Sequence, residues 1–127
     1  MTAVALHAGQ LLQPVPGGIG RYIDALLSHL PSHGITVSPF AAGPRPDDVD
    51  PSLAWFDLGW PHGSVRYELW HRFRRPRIDV AADLVHTPSL AVPPRDDRQL
   101  IVTVHDIAFV RHPQSTTRRG VAFHQRG

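Results

Sequence analysis

Three glycines in four residues, within Pro16-Gly17-Gly18-Ile19-Gly20-Arg21-Tyr22, separate a short apolar segment from a helical pattern. Glycine lets the backbone turn sharply and leaves amide N–H groups uncovered by side chains. A helix starting there presents N–H groups that lack intrahelical partners, and its dipole favours an anion. Phosphates are commonly held this way at a strand-to-helix turn. The run therefore points to a nucleotide or phosphorylated ligand, against the plainer reading of a flexible turn without one. It departs from the dinucleotide fingerprint, which sets Gly-x-Gly-x-x-Gly tight against its strand. A phosphate-binding loop that relies on lysine is excluded, because all 13 cationic residues are arginine.

Two histidines carry the second candidate chemistry. His86 falls in Leu84-Val85-His86-Thr87, and His105 in Val102-Thr103-Val104-His105-Asp106. Ligands of open α/β sheets bind beyond the carboxyl ends of the strands, where both histidines would fall. Imidazole suits such a site because it can donate, accept or carry charge near neutral pH. The plainer reading makes each a half-buried packing residue. The adjacent His105-Asp106 pair also invites a metal reading. Neighbours on a strand point to opposite faces, however, so a metal would need ligands from elsewhere, with His7 and His112 the unsupported options. No metal is expected.

The third constellation is Arg66 to Arg77, RYELWHRFRRPR, with Tyr67, Trp70 and Phe73 among its arginines. A basic amphipathic helix with aromatics can lie on an anionic membrane surface. The alternative is a solvated arginine face whose aromatics pack on a sheet, since arginine stems cover apolar surface without any membrane.

These residues need elements to position them. Ala3 to His7 reads as a short buried strand, followed by a loop from Ala8 to Gly20. Ile23, Leu26, Leu27 and Leu30 recur at helical spacing, and Pro31 and Gly34 end the pattern. Ile35 to Phe40 reads as a second strand, giving a β-α-β unit. Leu53 to Leu58 is a candidate third strand. Ser64 to Arg75 follows as a helix, with Ser64 as N-cap and Val65, Leu69 and Phe73 on its apolar face. Leu84 to His86 is a short strand, Leu100 to His105 the clearest strand, and Pro113 to Arg119 the opening of another helix. Strands alternating with helices predict an α/β fold, a parallel sheet with helices on both faces.

Composition bounds the rest. The 127 residues allow one domain or part of one. With 42% hydrophobic residues the chain can build a core, and no apolar run approaches the roughly 20 residues that span a bilayer. The chain has no cysteine, which removes disulfide and thiolate chemistry and makes a cytoplasmic location the default. A net charge of +2 is too small for a nucleic-acid partner to be expected.

Taken in order, three segments resemble the N-terminal half of a GT-B glycosyltransferase of the family 4 type. They are Pro14 to Tyr22 with the following helix, Asp83 to Pro88, and Ile101 to Phe109 followed by His112-Pro113. The resemblance implies two Rossmann-like domains facing a cleft, the N-terminal one binding the acceptor and the C-terminal one the nucleotide-sugar. It implies transfer with retention, without a metal or other cofactor. Carried over by position, Gly17, Gly18 and Gly20 form a loop near the donor's phosphates, and His105 sits beside the transferred sugar. Arg21, Tyr22 and Asp106 become cleft or acceptor contacts, and His86 a further substrate-binding residue. The donor is expected to be a GDP- or UDP-hexose, with mannose the favourite. The basic residues and paired Glu of the donor-binding half are missing, so residues 1–127 read as a truncated acceptor-side domain, inactive alone, working at the inner face of the membrane if the Arg66–Arg77 run binds lipid. Two other classes stay open: a non-catalytic glycan- or nucleotide-binding α/β module, and a small hydrolase or metal enzyme built on His105 and Asp106.

Overall fold

The computed structural model describes residues 1–105 together with 111, 114, 122, 125 and 126. Its elements are β1 (Ala3–His7), α1 (Gly17–His29), β2 (Thr36–Ala41), β3 (Phe56–Asp57), α2 (Gly63–Phe73), β4 (Leu84–Thr87) and β5 (Gln99–Val102), with short 3-10 turns at Gly9–Leu12 and Leu30–His33. All five strands are parallel, in the order β3-β2-β1-β4-β5. The α/β class and the parallel sheet are as the alternating pattern predicts. The helical pattern expected over Pro113–Arg119 lies largely outside the described residues.

Side-chain alternation along β1 divides the core in two. Leu6 points to the face where Ile23 and Leu27 of α1 pack with Val37 of β2. Ala5 points to the opposite face, with Phe40, Trp70 of α2, Ile78, Val80 and Val85. One helix therefore covers each face, which a buried parallel sheet requires. Trp70 is fully buried, and its indole Nε1–H donates to the Pro76 carbonyl at 3.0 Å. That bond satisfies its polar edge inside the core.

The structure differs from the sequence reading at three points, in four elements. First, α1 starts at Gly17, so the glycines form its first turn rather than a preceding loop. Gly17 adopts φ of 67°, a left-handed entry that suits glycine, and Gly20 N–H makes the first helical bond, to Pro16 O at 3.2 Å. The far end is as expected: the chain tightens into the 3-10 turn at Pro31 and closes at Gly34, φ 74°. Second, β3 is only Phe56–Asp57, and β5 ends at Val102. β4 is followed by Pro88, so β5 runs out of partner: Thr103 N–H donates to Thr87 O at 3.0 Å and closes the ladder. His105 therefore lies three residues beyond the strand. Third, α2 is capped by His62 without a side-chain bond, not by Ser64, and it faces inward with Arg66, Trp70 and His71. The stripe expected to be buried is turned outward, with Val65 51% and Phe73 64% exposed.

Apolar burial and a local latch account for that rotation of α2. Trp70 has far more apolar surface to bury than Val65 or Phe73. Arg66 is buried beneath the loop that enters the helix, and its guanidinium donates to four successive carbonyls, Leu58 (3.0 Å), Gly59 (3.3 Å), Trp60 (3.1 Å) and Pro61 (2.8 Å). A buried arginine is tolerated only when its donors are satisfied in this way. A second latch holds the approach to β5. Arg98 pairs with Asp96 through two Nε bonds of 2.9 and 3.0 Å, and also donates to the carbonyls of Val80 and Ile78. The Arg98 bond holds the Asp96 carboxyl down to about 2.

Candidate functional site

The connection leaving β1 runs through α1 to β2, on one side of it. The chain later returns to β4, on the other side. Between the carboxyl ends of β1 and β4 the winding direction therefore reverses, and open α/β sheets bind ligands in the crevice at such a switch point. The first turn of α1 opens beside this crevice. The amides of Gly17, Gly18 and Ile19 precede the first intrahelical bond and have no acceptor among the described residues.

Tyr22 lies one turn beyond Gly18, on the same helix face. Its ring stands edge-on to His105, with centroids 5.0 Å apart, and edge-on to His86 at 6.1 Å. His86 is the third residue of β4, and the strand's alternation sends it to the α1 side of the sheet. Its Nε2 lies 2.9 Å from Thr103 Oγ1, which in turn lies 3.4 Å from the Tyr22 hydroxyl. Burial lowers the His86 pKa, and the neighbouring His105 lowers it further. His86 is thus a neutral imidazole at pH 7, able to exchange a hydrogen bond with the Thr103 hydroxyl in either direction. His105 is exposed at the mouth of this group.

No family model, curated protein or solved structure matches the chain. The site's chemistry therefore rests on its own geometry. Free helix amides offer an anion site, the Tyr22 ring offers a stacking or packing surface, and His105 offers an accessible donor or acceptor. The His86–Thr103 pair has the spacing of a base and a hydroxyl nucleophile. Among the described residues no carboxylate holds the other nitrogen of His86, so the pair lacks the orienting third group of a hydrolytic triad. No group of three histidine, cysteine or acidic side chains able to hold a metal occurs among the described residues.

Of the residues singled out in the sequence, the fold brings Tyr22, His86 and His105 together and sets Gly17 and Gly18 exposed at the adjoining helix start. Gly20 is buried. A Cβ there would meet Pro16 Cβ at 2.3 Å, so its glycine lets Pro16 fold over the helix. Arg21 is exposed, about 100° round the helix from Tyr22. Asp106 and His112 lie outside the described residues. Sequence reasoning missed Thr103, the hydroxyl that joins His86 to Tyr22. Its signal was a polar residue between Val102 and Val104, two positions before His105.

It also missed what His7 does on the other face of the sheet. His7 is 2% exposed and packs edge-on against Tyr67 and Trp70, at 5.5 and 5.6 Å, and beside Phe40 at 5.3 Å. Tyr67 Oη lies 3.4 Å from His7 Nε2. Burial lowers the His7 pKa to about 4 and raises that of Tyr67 to about 12, so both are neutral across the physiological range. Gly9 closes the pocket, since a Cβ there would sit 2.2 Å from the Tyr67 hydroxyl.

Proposed function

We propose that this chain is the acceptor-side domain of a retaining glycosyltransferase of the GT-B, family 4 type, which moves a hexose from a nucleotide-sugar to a glycosyl acceptor. The observation that carries the reading is the convergence, at the sheet's switch point, of the glycine-opened α1 terminus with Tyr22, His86 and His105. Ile101, Val102 and Val104 leave apolar surface exposed along β5. Such surface suits a larger assembly better than a stand-alone module.

In this reading the amides of Gly17 and Gly18 face the donor's phosphates. Breaking the sugar–phosphate bond builds negative charge on the departing phosphate and positive charge on the ring. Preorganised N–H groups aimed at the phosphate lower that barrier. His105, exposed beside Tyr22, hydrogen-bonds the transferred sugar. Neutral His86, through Thr103, fixes the Tyr22 hydroxyl and hence the wall against which the sugar rests. Arg21 and Asp106 contact the acceptor or line the cleft. A second, donor-binding domain supplies the grip on the nucleotide.

The test is amide-resolved NMR of the labelled chain titrated with pyrophosphate, UDP-hexoses and GDP-hexoses. Shifts centred on Gly17, Gly18 and Tyr22, weakened at least fivefold in His105→Ala for the sugar nucleotides but not for pyrophosphate, are expected, with no turnover by the chain alone. Turnover equal in the native chain and His105→Ala overturns the reading. A tight complex indifferent to His105→Ala would make the chain a binding module instead.

A further inference from the structure

The outward face of α2 has no use in the site just described. Val65, Leu69 and Phe73 recur every fourth residue and form one stripe along the helix. They line an open groove whose far wall is Ala122 and Arg126. Even with that wall in place, Val65 and Phe73 stay more than half exposed. The stripe runs into a basic end: Arg72, Arg74, Arg75 and Arg77 are all exposed. The one carboxylate on the stripe's flank, Glu68, is already bridged by Arg72 at 3.1 Å and by Arg126 at 2.6 Å. Arg77 also lines a second hollow, with Trp60, Asp57 and Asp79, and Trp60 there is 78% exposed. Arg66 holds the Trp60 backbone in place from below, so this exposed indole stands on a fixed loop.

We propose that this face docks on an anionic phospholipid bilayer, with Phe73, Val65 and Trp60 entering the headgroup boundary and Arg72, Arg74, Arg75 and Arg77 meeting lipid phosphates. Charge complementarity selects the occupant. Along the stripe and its basic end four arginines stand against one neutralised carboxylate, Glu68, while Asp57 and Asp79 lie toward Trp60, so the face keeps an excess of arginine; the apolar stripe alongside has no polar atom of its own to pair. Interfacial helices combine these two features. A nucleic acid would use the arginines but gain nothing from the aliphatic part of the stripe. Arg66 and Trp70 take no part, because both are committed to the interior.

The experiment is co-sedimentation of the chain with phosphatidylcholine vesicles, with and without phosphatidylglycerol, at low and high salt. Binding is expected only to the anionic vesicles and only at low salt. Each arginine lost should lower partitioning about fivefold, so Arg72→Gln, Arg74→Gln and Arg75→Gln together cost about a hundredfold. Phe73→Ser, at a position that supports no core, should lower partitioning severalfold while the melting temperature is unchanged. Equal pelleting with neutral vesicles, or pelleting untouched by the triple variant or by Phe73→Ser, overturns the proposal. So does binding to an oligonucleotide or an acidic polypeptide without binding to vesicles.

Discussion

The carboxyl edge of the sheet carries two histidine sites of opposite character, one on each face. His7 is sealed among Phe40, Tyr67 and Trp70, with Gly9 as its lid. His86 shares a hydroxyl chain with Thr103 and Tyr22 and opens through His105 to solvent. Both rings are pushed toward the neutral form by burial. A lowered pKa therefore does not distinguish them; access does. The closed site can only contribute to stability, while the open one adjoins free helix amides and can meet a ligand.

Acid should separate the two most strongly. Above pH 6.5 His7 is neutral in both the folded and unfolded chain and adds no pH dependence. Below it the unfolded chain takes up a proton that the folded chain refuses until about pH 4. Stability should therefore fall by about 3 kcal/mol between these limits, at about 1.4 kcal/mol per pH unit. His7→Gln should remove its share of that slope in urea melts, the remainder coming from His86 and His71, whose pKa values burial also lowers. His105→Ala should have the smaller effect, because it relieves only the lesser cause of the His86 shift. An unchanged slope in His7→Gln would mean the ring is not sealed.

Glycine substitutions form the next contrast. Gly9→Ala forces a methyl against the Tyr67 hydroxyl and His7, and should cost about 1–3 kcal/mol. Tyr67→Phe in the same chain should recover part of that loss. At Gly18 a Cβ meets nothing, so Gly18→Ala should stabilise by up to about 1 kcal/mol through helix propensity while weakening pyrophosphate binding. The smallest effect on folding is expected at the open site itself. Thr103→Val should move stability by no more than about 1 kcal/mol, yet it breaks the link from His86 to Tyr22 and should weaken sugar-nucleotide binding measured by the same NMR titration.

β1, α1 and β2 were legible in the sequence because period and punctuation agreed: a short apolar run, an i, i+3, i+4, i+7 face, then Pro31 and Gly34. The start of α1 was misplaced because glycine is a poor helix former, and only the left-handed entry at Gly17 makes a glycine-rich first turn sensible. The orientation of α2 was illegible for a different reason. Two faces competed, and the one that won contains a buried arginine, which pattern rules place outside. The length of β5 depended on its neighbour. Val102-Thr103-Val104 alternates like a strand, but a strand needs a partner, and β4 stops at Thr87. For the candidate site, strand ends pointed to His86 and His105, although β5 stops three residues short of His105, and Tyr22 entered only through the family resemblance. Thr103 and the His7 pocket were not legible, because each depends on cross-strand neighbours that no local pattern encodes.

The four carbonyls gathered by Arg66 have a consequence for how this part of the molecule opens. The loop 58–61 is anchored to the sheet at its start, where Leu58 packs on the core and its N–H donates to Ala41 O at 2.8 Å, and its four carbonyls all go to one residue in the first turn of α2. Loop and helix are therefore coupled: fraying of that turn releases all four carbonyls at once. In hydrogen-exchange terms the expected outcome is that the amides from Trp60 to Trp70 share one opening free energy, the loop bearing Trp60 protected to the same degree as the helix that follows it.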